Sequence, residues 1–95
     1  MKKAYWIAHV TVTDEETYKK YAAIATEAIA DHGGEFLARG GRYRQMEGTD
    51  RPRNVVARFA SFEDAVACYE SPRYQEAVAF ARESSVRDLV IVEEA

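Results

Sequence analysis

Three stretches of this chain alternate with the two-residue period of a strand, yet both halves of the alternation are apolar. Ala4–Val12 splits into Trp6, Ala8, Val10 and Val12 on one side and Tyr5, Ile7, His9 and Thr11 on the other. Arg53–Phe59 gives Val55, Ala57 and Phe59 against Asn54, Val56 and Arg58. Asp88–Glu93 gives Val90 and Val92 against Leu89, Ile91 and Glu93. One sheet face is therefore expected to be wholly apolar. The other mixes Ile7, Val56, Leu89 and Ile91 with ionisable groups, where an antiparallel sheet normally meets water. Such a face is too apolar for solvent, which predicts a second copy of the chain packed against it in a homodimer.

Between these strands the period becomes helical. Thr13-Asp-Glu-Glu16 is a capping box with Thr13 or Asp14 as N-cap, and Tyr18, Tyr21, Ala22, Ala25, Ala28 and Ile29 then share one helix face. The spacing predicts a helix over about 14–32, stopped by Gly33-Gly34. Glu35–Arg39 reads as a strand, Gly40-Gly41 as a bulge or bend, and Arg42–Glu47 as the strand's continuation before a turn at Gly48–Pro52. Ser61-Phe-Glu-Asp64 is a second capping box, followed by Phe62, Ala65, Val66 and Tyr69. Ser71-Pro72 restarts a helix that Tyr74, Ala77, Val78 and Ala81 carry to about Ser84. The order strand–helix–strand–strand–helix–strand predicts an α+β, ferredoxin-like βαββαβ fold. A four-stranded antiparallel sheet would carry its helices on one face, in a single domain over residues 1–95.

Composition adds mainly exclusions. Ninety-five residues suffice for one core, and 47% hydrophobic with 31% charged residues argues against disorder. A net charge of −3 supplies no basic stripe for nucleic acid. Cys68 stands alone in an apolar helical stretch, so no intrachain disulfide or multi-cysteine metal site is expected, only a buried, inert thiol. Ala4–Val12 contains His9 and runs into Thr13-Asp14, which fits a strand better than a signal peptide. No apolar run approaches the ~20 residues of a membrane helix. A cytoplasmic protein without membrane or nucleic-acid partners is the expectation.

Several segments also resemble one family. They are Tyr5-Trp6-Ile7, Thr13-Asp14 with Tyr18 and Tyr21, and Gly33-Gly-Glu-Phe-Leu-Ala-Arg-Gly-Gly41. Glu47-Gly48, Arg53-Asn-Val-Val56, Phe59, Ser71-Pro-Arg-Tyr74 and Arg82 continue the likeness over nearly the whole chain. Together they are similar to the domain-of-unknown-function family thirteen-thirty, of the dimeric α+β barrel superfamily. The resemblance implies a ferredoxin-like fold whose sheets pack face to face in a homodimer. It implies no activity, since the family has none assigned. The superfamily includes cofactor-free quinone-forming monooxygenases, muconolactone isomerases, haem-binding enzymes and small-molecule-sensing domains. The family pattern leads one to expect an acidic or neutral residue where Arg58 stands, so a role for Arg58 would be particular to this chain.

Two groups of side chains are candidates for chemistry. Strand parity gathers Tyr5, His9, Thr11, Leu37, Arg39, Asn54, Arg58 and Glu93 on the mixed face. There His9 is the preferred general base, and Arg39 or Arg58 would hold an anionic or enolate oxygen. The competing expectation is that these groups satisfy one another across the dimer, with Glu35 and Glu93 pairing the arginines. The second group lies between helices and sheet, where Tyr18, Tyr21, Tyr69 and Tyr74 bring phenols and Trp6, Phe36 and Phe59 form walls. Tyr21 and Tyr74 are its ligand-binding candidates, against the plainer role of core tyrosines. His32 is expected to interact with its helix C-terminus, and Arg82 to pair with Asp88. His9 and His32 share no metal-ligand spacing, so neither metal nor cofactor is expected.

The expected function is binding of a small aromatic or anionic organic molecule. If catalysis follows, it would be isomerase or cofactor-free monooxygenase chemistry by proton abstraction. The alternative is a non-enzymatic binding or accessory dimerisation domain. A cavity of ~300 Å³ or more reaching His9 or Tyr21 would favour the first, and a closed polar network without a cavity the second.

Overall fold

The computed structural model describes residues 1–95. The chain forms β1 (Ala4–Val12), α1 (Glu15–Asp31), β2 (Glu35–Arg39), β3 (Arg53–Phe59), α2 (Phe62–Glu70), α3 (Pro72–Ser84) and β4 (Ser85–Glu93). The strands pair antiparallel in the order β2-β3-β1-β4, the ferredoxin-like arrangement. No helix is long and apolar enough to cross a membrane.

Local chemistry sets the helix limits. Asp14 caps α1, accepting from the Thr17 backbone N–H at 3.3 Å and from the Thr17 hydroxyl at 2.8 Å. Gly33, at φ 75°, ends it, and His32 turns its Nδ1 back onto the Ala28 carbonyl at 2.8 Å. Ser61 caps α2 through the Asp64 N–H at 3.1 Å. The second crossover is broken into α2 and α3 at Ser71, whose backbone is extended because Pro72 follows it. Ser71 then caps α3 through the Tyr74 N–H at 3.2 Å.

Trp6 is the centre of the core. Its ring lies 4.8 Å from Tyr74, 5.2 Å from Phe59 and 6.0 Å from Tyr69, and its Nε1–H donates to the Ala65 carbonyl at 3.0 Å. Ala25 and Ala28 of α1 and Ala77 and Ala81 of α3 are buried, which lets these two helices pack closely. Cys68 is buried, its thiol 3.5 Å from the Ala28 carbonyl.

Several expectations need correction. Pairing of β1 with β4 sets Trp6 opposite Ile91, Ala8 opposite Leu89 and Val10 opposite Arg87. Leu89 and Ile91 therefore lie under the helices, while Val86, Val90 and Val92 are exposed on the outer face. Both halves of β4 are apolar, so its hydropathy could not set its parity. In β2 the irregularity falls between Phe36 and Ala38, before Gly40-Gly41. That extra residue brings Arg39, opposite Val55, onto the helix side with Phe36 instead of onto the outer face. Gly40, at φ 67°, bends the chain away, and residues 41–52 form no strand. Asp88 pairs with Arg51 at 3.3 Å, where Arg82 was expected.

Two measurements check this packing. A Cβ at residue 34 would stand 2.6 Å from Ile29 Cγ2 and 2.7 Å from Phe59 Cε2. Gly34→Ala is expected to cost about 1–3 kcal/mol through overpacking, read from the urea midpoint. Burial, then Asp31, pushes the Cys68 thiol up from 9.0 to about 12, so the folded chain holds that proton where the unfolded chain has lost it. The contribution is fully present below pH 9 and declines as pH rises towards 12. Stability of the native chain should fall across that window, and less so in Cys68→Ala.

Candidate functional site

A cavity of about 130 Å³ lies between α1 and the helix side of the sheet. Its floor comes from Trp6, Ala8 and Val10 of β1, with Val55 and Leu89 beside them; Tyr18, Tyr21, Ala25 and Ile29 of α1 roof it. Phe36 closes one side. The small alanines 8, 22 and 25 leave this space open where larger residues would fill it. The volume is below the ~300 Å³ expected of a drug-sized pocket, and near the ~150 Å³ that admits one benzene ring.

Register supplies the polar groups. Val10 of β1 stands between Arg53 of β3 and Arg87 of β4, so both arginines share its face. Arg39, next to them on β2, is the third. Each guanidinium lies over an aromatic ring: Arg39 over Phe36 at 4.4 Å, Arg53 over Tyr18 at 5.6 Å and Arg87 over Tyr21 at 4.8 Å. None of the three has a carboxylate partner, whereas Arg51, Arg58 and Arg73 all do. The cavity lining contains no Asp, Glu or His. Arg53 Nε is buried with no hydrogen-bond partner at all. The cavity is thus an apolar chamber with an electropositive rim.

At the α1 end, Arg87 Nη1 donates to the Tyr21 hydroxyl at 2.9 Å and Nη2 to the Tyr74 hydroxyl at 3.1 Å. The two hydroxyls lie 2.8 Å apart. Burial, and then the neighbouring Tyr21, raises the Tyr74 phenol above its usual 10.0 against the pull of Arg87. Tyr18 is raised by the same two causes against Arg53. These phenols are hydrogen-bond donors at neutral pH.

The sequence-derived candidates separate onto two faces. Tyr21 and Arg39 line the cavity, and Tyr74 stands behind Tyr21. Of the expected walls Trp6 and Phe36 line the cavity and Phe59 does not; of the expected phenols Tyr18 and Tyr21 line it, while Tyr69 packs with Phe59 behind Trp6. His9 and Arg58 are on the opposite face. His9 Nδ1 meets Asn54 Oδ1 at 2.5 Å and sits opposite Asp88, not beside Arg39. Arg58 forms an ion pair with Glu35, as the competing expectation had it, but within one chain. Arg51 ties Asp88 to Thr11, at 3.3 and 3.4 Å. Arg53 and Arg87 were missed as site residues. Setting Ile91 opposite Trp6 places Arg87 beside Val10, and Arg53, which shares strand parity with Val55 and Ala57, falls on the other side of Val10 once Ala57 stands opposite Trp6.

No cluster of three metal-ligating side chains is present. No curated protein matches the chain. Among solved structures, the RPA0582 protein of unknown function from Rhodopseudomonas palustris shares 17% identity at a TM-score of 0.79, over 99% of this chain and 83% of that one. A dimeric ferredoxin-like protein of unknown function from Jannaschia sp. CCS1 shares 16%, at 0.78, over 97% of this chain and 99% of that one. SnoaB, a cofactor-independent oxygenase from Streptomyces nogalater, shares 13%, at 0.68, over 100% and 95% respectively. At such identities the likeness is one of fold, and it matches the strand order and helix layer described above. The family described as Domain of unknown function (DUF1330) matches residues 3–95, and the chain belongs to it.

Proposed function

We propose that this protein binds a small monocyclic organic anion, such as an aromatic carboxylate, in the cavity beneath α1. The observation that carries this is the set of three guanidinium groups around an apolar chamber with no carboxylate to neutralise them. A guanidinium that already lies on an aromatic face still presents its N–H edge to an anion, and Arg53 Nε has a buried hydrogen without an acceptor. The ring of the ligand would occupy the space between Ala8, Ala25 and Phe36. Proton-abstraction chemistry of the isomerase or cofactor-free monooxygenase kind finds no histidine or carboxylate in the lining to serve as base. The cavity therefore favours capture of the ligand over its turnover by such a step.

Benzoate is the direct probe. It is expected to bind the native protein, seen by calorimetry, and toluene to bind more weakly. Arg53→Met and Arg39→Met should each weaken benzoate roughly tenfold, the loss of one charge-assisted contact, and leave toluene unchanged. Equal affinity for the charged and neutral probes in the native protein would defeat the proposal. His9→Val and Arg58→Met belong to the other face and should leave benzoate affinity unaltered. A loss there would return them to the site.

The outer face favours a homodimer. Val56, Ile7 and Val90 form one row there, Tyr5 and Val92 stand together in the next, and Val86 lies beside Thr11 past the row of His9. Val86, Val90 and Val92 are 53%, 54% and 43% exposed in the single chain. Apolar surface gains about 25 cal/mol per Å² on leaving water, so covering this patch is worth several kcal/mol per chain. The related structure from Jannaschia sp. CCS1 is dimeric. Val90→Asp should convert the native dimer to monomer in sedimentation at micromolar concentration; a native chain already monomeric there would contradict the assembly.

A further inference from the structure

Resting on the cavity being an anion site, we infer that Tyr21 is the hydrogen-bond donor to the ligand's oxygen, and that Tyr74 and Arg87 hold its proton pointing into the cavity. The reasoning is a count of protons. Arg87 gives one N–H to each phenol, at 2.9 and 3.1 Å, and a guanidinium has no lone pair with which to accept. Only one hydrogen therefore runs between the two hydroxyls across their 2.8 Å separation. If Tyr21 supplied it, the hydrogen of Tyr74 would be left without an acceptor. Tyr74 is 0% exposed, and its hydroxyl meets nothing but Tyr21 and Arg87. A buried hydroxyl hydrogen without an acceptor is disfavoured, so Tyr74 donates to Tyr21.

The consequence falls on Tyr21. Its oxygen accepts from Arg87 and from Tyr74, which fills both lone pairs, and its own hydrogen is left over. Of the two phenols only Tyr21 lines the cavity. Two donors on one phenol oxygen polarise its O–H and strengthen the remaining bond. The preferred partner of such a donor is an oxygen carrying negative charge: a phenolate, an enolate or a carboxylate. Tyr21 is then the residue that touches the ligand, while Tyr74 and Arg87 are positioning residues acting through it. The rim arginines also favour charged ligands, so the contribution of Tyr21 is the part of that preference that Tyr21→Phe removes while the three arginines stay in place.

The test uses 4-nitrophenol, whose phenolate has its own visible absorption, and 4-nitrotoluene as a neutral probe of similar shape. In the native protein the bound nitrophenol should ionise at least one pH unit lower than free, a preference of about tenfold or more for the phenolate. Tyr21→Phe should lose roughly tenfold in nitrophenolate affinity and keep that for nitrotoluene. Tyr74→Phe removes one of the two donors to Tyr21, so it should shrink the ionisation shift while leaving nitrotoluene binding intact. Loss of both probes to the same extent in Tyr21→Phe would mean a merely structural phenol and overturn the inference. An unshifted ionisation in the native complex would do so without any variant. If benzoate binds but nitrophenolate is indifferent to Tyr21→Phe, the role of Tyr21 falls and the anion site stands. If the native protein binds neither benzoate nor nitrophenolate, both fall together.

Discussion

Two guanidinium groups flank Val10 in a single row of the sheet, with strands spaced about 5 Å apart, and neither forms an ion pair. Holding like charges in a half-buried row is unfavourable unless something else stabilises them. In this fold the compensation comes from α1. Tyr18 offers its ring to Arg53, and Tyr21 offers its ring and its oxygen to Arg87. Tyr74 on α3 completes the arrangement from the other helix. Docking of both helices on the sheet is thus tied to the same charges that make the cavity electropositive. The cap on α1 at Asp14 and the restart of α3 at Ser71 matter because they fix where along each helix these tyrosines stand.

The two faces of the sheet treat charge in opposite ways. On the outer face the ionic groups and the histidine have found partners within the chain: His9 with Asn54, Arg51 with Asp88, Arg58 with Glu35. Such pairs close off reactivity and define orientation at a surface whose remaining groups are mostly apolar, Ile7 and four valines among them. On the helix side three cations remain without anions. This contrast, more than any single residue, supports the proposal that one face serves assembly and the other a ligand.

Much of the architecture was legible in the residues. The capping boxes, Gly33-Gly34 and Ser71-Pro72 all mark element limits by mechanisms confined to a few neighbouring residues, so the element order followed from them. Tyr21 and Tyr74 were legible as sharing the space between helices and sheet, because helical spacing puts them on buried faces. Arg87 was not, since it sits beside Asp88 at the start of a strand whose alternate residues are all apolar, and only pairing with β1 decides its side. Arg39 was misplaced because one irregular position in a five-residue strand reverses everything after it. His9 drew attention as a lone imidazole in an apolar strand, but chemistry at a residue depends on what faces it, and Asn54 and Asp88 come from strands distant in sequence.

Gly40 gives the cavity a handle outside its own walls. Its backbone passes so near Arg53 that a methyl group there would stand 2.7 Å from the guanidinium Nη1. The guanidinium is the free end of a long side chain and would yield before the sheet did, although the backbone at φ 67° resists any side chain. A change at this bend would therefore move a rim charge while leaving every cavity-lining residue as it is. For the proposed anion site, ligand preference would thus be adjustable from a loop, separately from the core that keeps the chain folded.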